Sequence, residues 1–153
     1  MMTSNLRELY QEMILDHGRC PRHFHTMAQA NRQANGFNQL CGDSLTLYLK
    51  VEDQKISAIS FNGSGCAISM ASASLMSEVL QGKTIAEAEA LFQTFHQLLT
   101  GKISCSDQIQ QLEKLAVFSG VKAYPTRVKC ATLAWHTLLA ALQGKHATVS
   151  TED

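Results

Sequence analysis

The segment Asn38–Ser69, NQLCGDSLTLYLKVEDQKISAISFNGSGCAIS, carries the clearest structural pattern in the chain. Apolar and polar residues alternate over Leu45–Val51, which is the period-two pattern of a half-buried strand. The next four residues are typical of a turn, and Lys55–Asn62 predicts a returning strand with a bulge or a one-residue shift in register. The segment therefore predicts a β-hairpin with a cysteine just outside each end, Cys41 and Cys66.

The hairpin also predicts where its flanking side chains meet. Facing residues in an antiparallel hairpin have position numbers with a constant sum, and the predicted turn centre lies between Asp53 and Gln54. Cys41 and Cys66 are equidistant from that centre, so both sulfur atoms are expected at the same end of the hairpin. Asp43 follows Cys41 by two residues, and in an extended segment these two side chains share a face. Two thiols and a carboxylate are therefore expected to converge.

The rest of the chain predicts mainly helices. Apolar periodicity and capping signals place helix starts at Ser4, Cys66, Thr84, Asp107 and Tyr124, and a short strand around Arg32–Phe37. Because the strands come early and the helices late, we expect an α+β fold. Its small antiparallel sheet, of about three strands, would be packed on one face by helices. We expect one domain over residues 1–145 and a flexible C-terminal tail over residues 146–153.

Composition and charge argue against several classes of partner. The 153 residues, of which 45% are hydrophobic, suffice for one globular domain. Lys plus Arg and Asp plus Glu number 13 each, so the chain lacks the electropositive field that nucleic acid or an anionic membrane surface would require. No run of residues has the length of a membrane span or the apolar core of a signal peptide, so we expect a cytoplasmic location.

The five cysteines are expected to be thiols or ligands. Their odd number, without a secretory signal, argues against a disulfide framework, and none belongs to a C-x-x-C pair. Cys66 starts a predicted helix, where unpaired N–H groups and the helix dipole favour a thiolate. Cys130 lies near the start of the last predicted helix, but local spacing alone does not bring it to the hairpin. For Cys20 and Cys105 an ordinary loop or buried thiol is the simpler interpretation.

Three thiolates and one carboxylate would form a four-coordinate set suited to zinc, with a net charge of about minus two. If Cys130 is the fourth ligand, the neighbouring Arg127 and Lys129 are placed to offset that charge. A Cys-His hydrolase with Cys66 as nucleophile is a weaker alternative, because no local argument brings a histidine to a sulfur. His17 is explained by the favourable position of a cation at a helix C-terminus.

Three stretches of the chain resemble the IscU/SufU family of iron-sulfur cluster assembly proteins. They are Leu40–Asp43 (LCGD), Gly63–Ser72 (GSGCAISMAS) and Arg127–Trp135 (RVKCATLAW). The first helix and the Pro21-Arg22 pair are also similar, so the resemblance extends over nearly the whole chain in the same order. It implies an IscU/SufU-like fold and a zinc ion held by Cys41, Asp43, Cys66 and Cys130.

Two details make the chain more similar to the SufU branch. Lys129 occupies the position before the third cysteine, where IscU scaffolds usually carry His, and 63 residues separate Cys66 from Cys130, as in the longer SufU type. This branch implies a zinc-dependent sulfurtransferase rather than a stand-alone enzyme. It would accept persulfide sulfur at Cys41 from a SufS-type cysteine desulfurase and pass it to downstream iron-sulfur assembly proteins. The alternative is a scaffold on which the cysteines and Asp43 bind iron and build a [2Fe-2S] cluster.

Overall fold

The computed structural model describes residues 2–39, 42–102, 112–144 and 148–150. The elements are α1 (Met2–Arg19), β1 (Arg32–Asn38), β2 (Asp43–Glu52), β3 (Lys55–Ser64), α2 (Ala67–Leu80), α3 (Ile85–Leu99), a 3₁₀ helix (Glu113–Ala123), α4 (Pro125–Leu142) and β4 (Thr148–Ser150). Cys41 and Cys105 lie outside the described residues, as does the beginning of the helix predicted from Asp107. None of the described helices is long and apolar enough to cross a membrane.

The sheet has the strand order β3-β2-β1-β4. Strand β2 pairs antiparallel with both β1 and β3, and the helices pack against the sheet, so the predicted α+β fold is confirmed. Thr148–Ser150 adds a short parallel strand beside Asn35–Phe37, where the sequence predicted a flexible tail. The outer edge of β1 would otherwise leave backbone N–H and C=O groups unpaired, and the β-branched residues of β4 suit a strand.

The β2–β3 hairpin contains the predicted bulge. Asp53 and Gln54 have φ values of 51° and 64°, which is the left-handed conformation of a two-residue type I′ turn. The register shifts by one residue between Lys50 and Val51. Facing residues beyond the bulge are therefore displaced by one position from the pairing that the sequence predicted for Cys41 and Cys66.

Helix α2 is the central helix of the fold. Nearly all of its residues are buried, and their small side chains, such as Ser72 and Ala73, let α1 and α4 pack closely against it. The predicted capping box of α3 is confirmed, because Glu87 N–H donates to Thr84 Oγ1 and Thr84 N–H donates to Glu87 Oε1. Helix α1 begins at Met2, two residues before Ser4, so the prediction that Ser4 caps it is wrong.

Helix α4 lies antiparallel on β1. Arg32, at the start of β1, donates from Nη1 to a carbonyl oxygen in the last turn of α4 at 2.7 Å. Gly36 lies beneath Thr137, and Asn38 ends β1 beneath Cys130. The twelve residue steps from Cys130 to Leu142 rise about 18 Å along α4, and the six steps from Arg32 to Asn38 span about 20 Å along β1. The matched lengths place Cys130 at the end of β1.

We expect Gly36→Ala to destabilise the protein by about 1–3 kcal/mol, because a Cβ at this position would overlap the Thr137 hydroxyl group and force α4 away from β1. Gly120→Ala is the matched control, since a Cβ there meets nothing within 4 Å. The measurement is the free energy of unfolding in urea. Equal stabilities of the two variants would contradict this packing.

His17 is buried rather than charged at the end of α1, so the helix-dipole explanation is wrong. Its Nδ1 atom hydrogen-bonds Ser74 Oγ at 2.7 Å, and its Nε2 atom lies 3.6 Å from Glu78 Oε1. Burial lowers the pKa of His17 below its ordinary 6.5, and Arg22 lowers it further, while Glu78 acts in the opposite direction. The neutral imidazole therefore fastens α1 to α2.

The burial of His17 predicts a pH-dependent stability. Above pH 6.5 both states hold this imidazole neutral and its contribution is fully present. As the pH falls below 6.5, only the unfolded chain takes up the proton readily, so the fold loses up to about 1.4 kcal/mol per pH unit until the folded pKa is reached. Urea unfolding of metal-free protein at pH 7.5 and 5.5 should show a smaller loss for His17→Gln than for the exposed control His25→Gln. Equal losses would exclude His17 as the cause.

Candidate metal centre

Three of the four predicted ligand residues meet at one end of the sheet. One ligand atom from each of Asp43, Cys66 and Cys130 lies within 4.8 Å of the others. The edge of a tetrahedron with Zn–S bonds of about 2.3 Å measures about 3.8 Å, so shifts of about 1 Å would complete the geometry. Cys41, the fourth predicted ligand, lies outside the described residues. That these residues bind a metal stays a prediction.

Asp43 is positioned by the start of β2, and Cys66 is positioned by the start of α2. Asp43 begins β2 and is fully buried, and its Oδ1 atom accepts a hydrogen bond from the Cys66 backbone N–H at 2.8 Å. Gly65 permits this contact, because a Cβ there would lie 2.5 Å from the same oxygen. Cys66 is the N-cap of α2, and its sulfur accepts the Ser69 N–H at 3.5 Å. The Gly-Cys step between strand and helix therefore brings carboxylate and thiol together.

The pKa of the Cys66 thiol is raised, whereas its position at a helix start predicted a stabilised thiolate. Burial raises the pKa of the Cys66 thiol above its ordinary value, the expected N–H contact from Ser69 lowers it, and the nearby Asp43 carboxylate raises it again. The Cys66 sulfur lies 4.0 Å from Asp43 Oδ2. Because adjacent anions repel each other, a cation between the two side chains would stabilise the thiolate form of Cys66.

Cys130 forms the buried side of the cluster. Its side chain is 1% exposed, and the Nδ2 atom of Asn38 donates to its sulfur at 3.7 Å. On the next residue of α4, the Ala131 carbonyl oxygen accepts a hydrogen bond from Ser72 Oγ of α2 at 2.5 Å. The sulfur is thus held between β1, α2 and α4.

Sequence reasoning missed Asn38. The available signal was its position: Ala34, Gly36 and Asn38 share the inward face of β1, so a polar side chain falls where an apolar one is expected. Asn38 is fully buried and faces Asp43 across the β1–β2 ladder. Asn38 therefore lies on the buried side of the cluster, beside Asp43 and Cys130.

Of the two basic residues beside Cys130, Arg127 has a described contact with another side chain. Arg127 is exposed, and its guanidinium carbon lies 4.8 Å from the centroid of the Tyr124 ring, a cation–π contact at the start of α4. Lys129 is partly buried. The described contacts therefore assign Arg127 to Tyr124, and its role as a counter-charge stays a prediction.

Histidines do not enter the cluster within the described residues. Among the described residues, the possible metal ligands grouped with Cys66 are Asp43 and Cys130. The rings of His96 and His136 pack around Phe92 with centroid distances of 5.8 Å and 5.4 Å. His17 and His23 hydrogen-bond serine hydroxyls of α2, and His25 hydrogen-bonds the Thr26 carbonyl oxygen. The alternative of a Cys-His hydrolase therefore has no support in the described geometry.

Of the two cysteines expected to be ordinary thiols, only Cys20 is described. It is exposed just beyond α1, and its backbone carbonyl accepts a hydrogen bond from Arg22 Nη1 at 2.8 Å. Its sulfur is not in the cluster of described ligands. Cys20 therefore serves as the control thiol in the experiments below.

Comparison with known proteins identifies the family. Residues 9–144 match the family described as NifU-like N terminal domain. The chain is 35% identical to the iron-sulfur cluster assembly scaffold protein IscU of Streptococcus pyogenes serotype M1, over 94% of this chain and 88% of that protein. It is also 36% identical to the zinc-dependent sulfurtransferase SufU of Bacillus subtilis, over 88% of this chain and 90% of that protein.

A solved structure agrees with this assignment. A protein from Fervidobacterium islandicum AW-1, described as a candidate iron-sulfur cluster assembly scaffold for the SUF system, superposes with a TM-score of 0.80 at 37% sequence identity. The alignment covers 86% of this chain and 94% of that one. The chain therefore belongs to the NifU-like N-terminal domain family of iron-sulfur cluster assembly proteins.

The cluster predicts one tight zinc site per chain. Cys130→Ser should weaken zinc binding by more than about 100-fold, because it removes a thiolate ligand, whereas Cys20→Ser should bind like the wild type. Competition of the metal-free proteins with a chromophoric chelator measures both affinities. Wild-type affinity in Cys130→Ser would remove Cys130 from the site.

Proposed function

We propose that this protein is a zinc-dependent sulfur acceptor of the SufU type, which takes persulfide sulfur from a SufS-type cysteine desulfurase. The observation that carries the proposal is the largely buried group of Asp43, Cys66 and Cys130 at one end of the sheet, with Asp43 two residues along the chain from Cys41. The SufU relative of Bacillus subtilis, named a zinc-dependent sulfurtransferase, supports it.

The donor atoms suit zinc. Two sulfurs and one carboxylate oxygen converge in a largely buried position, and thiolate-rich sets of four favour a tetrahedral zinc ion. Zinc, when bound, keeps its cysteine ligands deprotonated at neutral pH. The raised pKa of the Cys66 thiol is consistent with a site that needs such a cation.

Cys41 is the proposed fourth ligand and the reactive one. It is joined through Gly42 to Asp43, so chain geometry alone keeps its Cα within about 7.6 Å of the Asp43 Cα. Gly42 has a φ of 69°, a conformation that glycine adopts without strain, and its N–H donates to the Gln39 carbonyl oxygen at 3.3 Å. A glycine next to the proposed ligand supports the proposal, because glycine changes its backbone conformation at little steric cost.

The transfer is a thiol–persulfide exchange. The Cys41 thiolate attacks the outer sulfur of the desulfurase cysteine persulfide, forming the Cys41 S–S bond as the S–S bond of the donor breaks. The electron pair of the broken bond leaves on the desulfurase cysteine as a thiolate, so no external oxidant or reductant is needed. Asp43, Cys66 and Cys130 keep their positions during the exchange, and Cys41 then carries the sulfur to downstream assembly proteins.

A cluster scaffold is the second candidate function. Several relatives are named IscU scaffold proteins, and thiolates bind iron-sulfur clusters as well as zinc. Lys129 favours the acceptor, because a charged amine beside Cys130 cannot serve as a metal or cluster ligand. The metal content of the protein separates the two functions.

The test of the acceptor function uses anaerobically purified protein and a SufS-type desulfurase supplied with ³⁵S-cysteine. Wild type and Cys20→Ser should each contain one zinc, accept labelled sulfur and raise the turnover of the desulfurase. Cys41→Ala should lose most of the label and of the stimulation, because it lacks the accepting sulfur.

Two outcomes would contradict the acceptor function. Full labelling of Cys41→Ala would show that another sulfur accepts the persulfide. Stoichiometric iron-sulfur absorbance without zinc in the wild type would favour the scaffold.

A further inference from the structure

Asn38 presents an unusual buried amide beside the cluster. Its side chain is fully buried at the end of β1, and its Nδ2 atom lies 3.7 Å from the Cys130 sulfur. Its Oδ1 atom has no hydrogen-bond partner among the described residues. An unpaired buried oxygen destabilises a fold, so stability alone would favour an apolar residue of the same size at this position.

We propose that Asn38 is a positioning residue of the metal centre, which holds Cys130 as a fixed and weakly nucleophilic ligand. This inference rests on the proposed function and deepens it. It assigns different parts to the cysteines: Cys130 stays bound, and Cys41 is the sulfur that leaves and reacts.

The chemistry of an N–H···S hydrogen bond supports this division. The amide N–H draws electron density from the thiolate, which lowers its nucleophilicity and offsets part of the negative charge of the ligand set. The reverse amide orientation would set Oδ1 against the sulfur and repel a thiolate, so the donor orientation is the favourable one. Cys130 is also only 1% exposed, which shields it from an incoming persulfide.

The location of Asn38 couples it to the reactive loop as well. It faces Asp43 across the β1–β2 ladder, so these two residues are the last pair of the ladder before the chain segment that includes Cys41. Gly36 on the same face of β1 admits α4 and thereby brings Cys130 over the Asn38 amide. Asn38 thus contacts Cys130, the buried ligand, at the residue where β1 ends.

The experiment compares Asn38→Leu with Asn35→Ala, an exposed control on the same strand whose side chain accepts a hydrogen bond from Thr46. Leu has the same branched skeleton as Asn, although it is larger, and it removes both the N–H donor and the unpaired oxygen. We expect the metal-free Leu variant to be at least as stable as the wild type and to bind zinc about 10–100-fold more weakly.

Two further readouts separate positioning from mere packing. In the Co²⁺-loaded Leu variant, the sulfur-to-cobalt charge-transfer band should move to lower energy, because the thiolate has lost its hydrogen bond. In the zinc-loaded Leu variant, iodoacetamide should label Cys130 faster than in wild type, as measured by mass spectrometry. Asn35→Ala should match the wild type in both.

Asn38→Asp keeps the proposal testable if the Leu variant does not fold. It has the same shape but sets a carboxylate against the Cys130 sulfur, so zinc affinity should fall at least as far. Wild-type affinity, spectrum and labelling in the folded Asn38 variants would overturn the inference. Failure of the wild type itself to bind zinc would instead overturn the proposed function.

Discussion

The close contact between α4 and β1 at Gly36 is the constraint on which the rest of the structure depends. With no side chain at this position, the helix can lie against the strand with Thr137 directly above it. Helix and strand then run side by side for about 18–20 Å, from Arg32 to Asn38. This packing places Cys130 at the end of the sheet, although it is far from the hairpin in sequence.

Burial and charge at that end explain why the site suits a cation. Asp43 and Cys130 are buried and Cys66 is partly buried, so each lies where an isolated anion is unfavourable. Backbone N–H groups and the Asn38 amide stabilise negative charge there, but they do not neutralise it. A divalent ion at this position would offset the negative charge of the carboxylate and the thiolates.

Local patterns were sufficient for much of the fold. Alternation predicted β2, and the turn after it predicted β3 with a bulge. The capping box of α3 and the Pro start of α4 followed from single residues. The pairing of β4 and the burial of His17 depend on surfaces that only the assembled fold creates. The hairpin pattern predicted that Asp43 and Cys66 meet, and they do so despite the one-residue bulge. Cys130 was predicted to join them only from the family resemblance.

The central claim is that one zinc ion is bound by three sulfur atoms and one carboxylate oxygen. Zinc K-edge X-ray absorption of the purified protein tests it most directly, because the fine structure reports the number and type of ligands. The account predicts three sulfur ligands at about 2.3 Å and one oxygen at about 2.0–2.2 Å. A zinc ion with one sulfur ligand or none would contradict it.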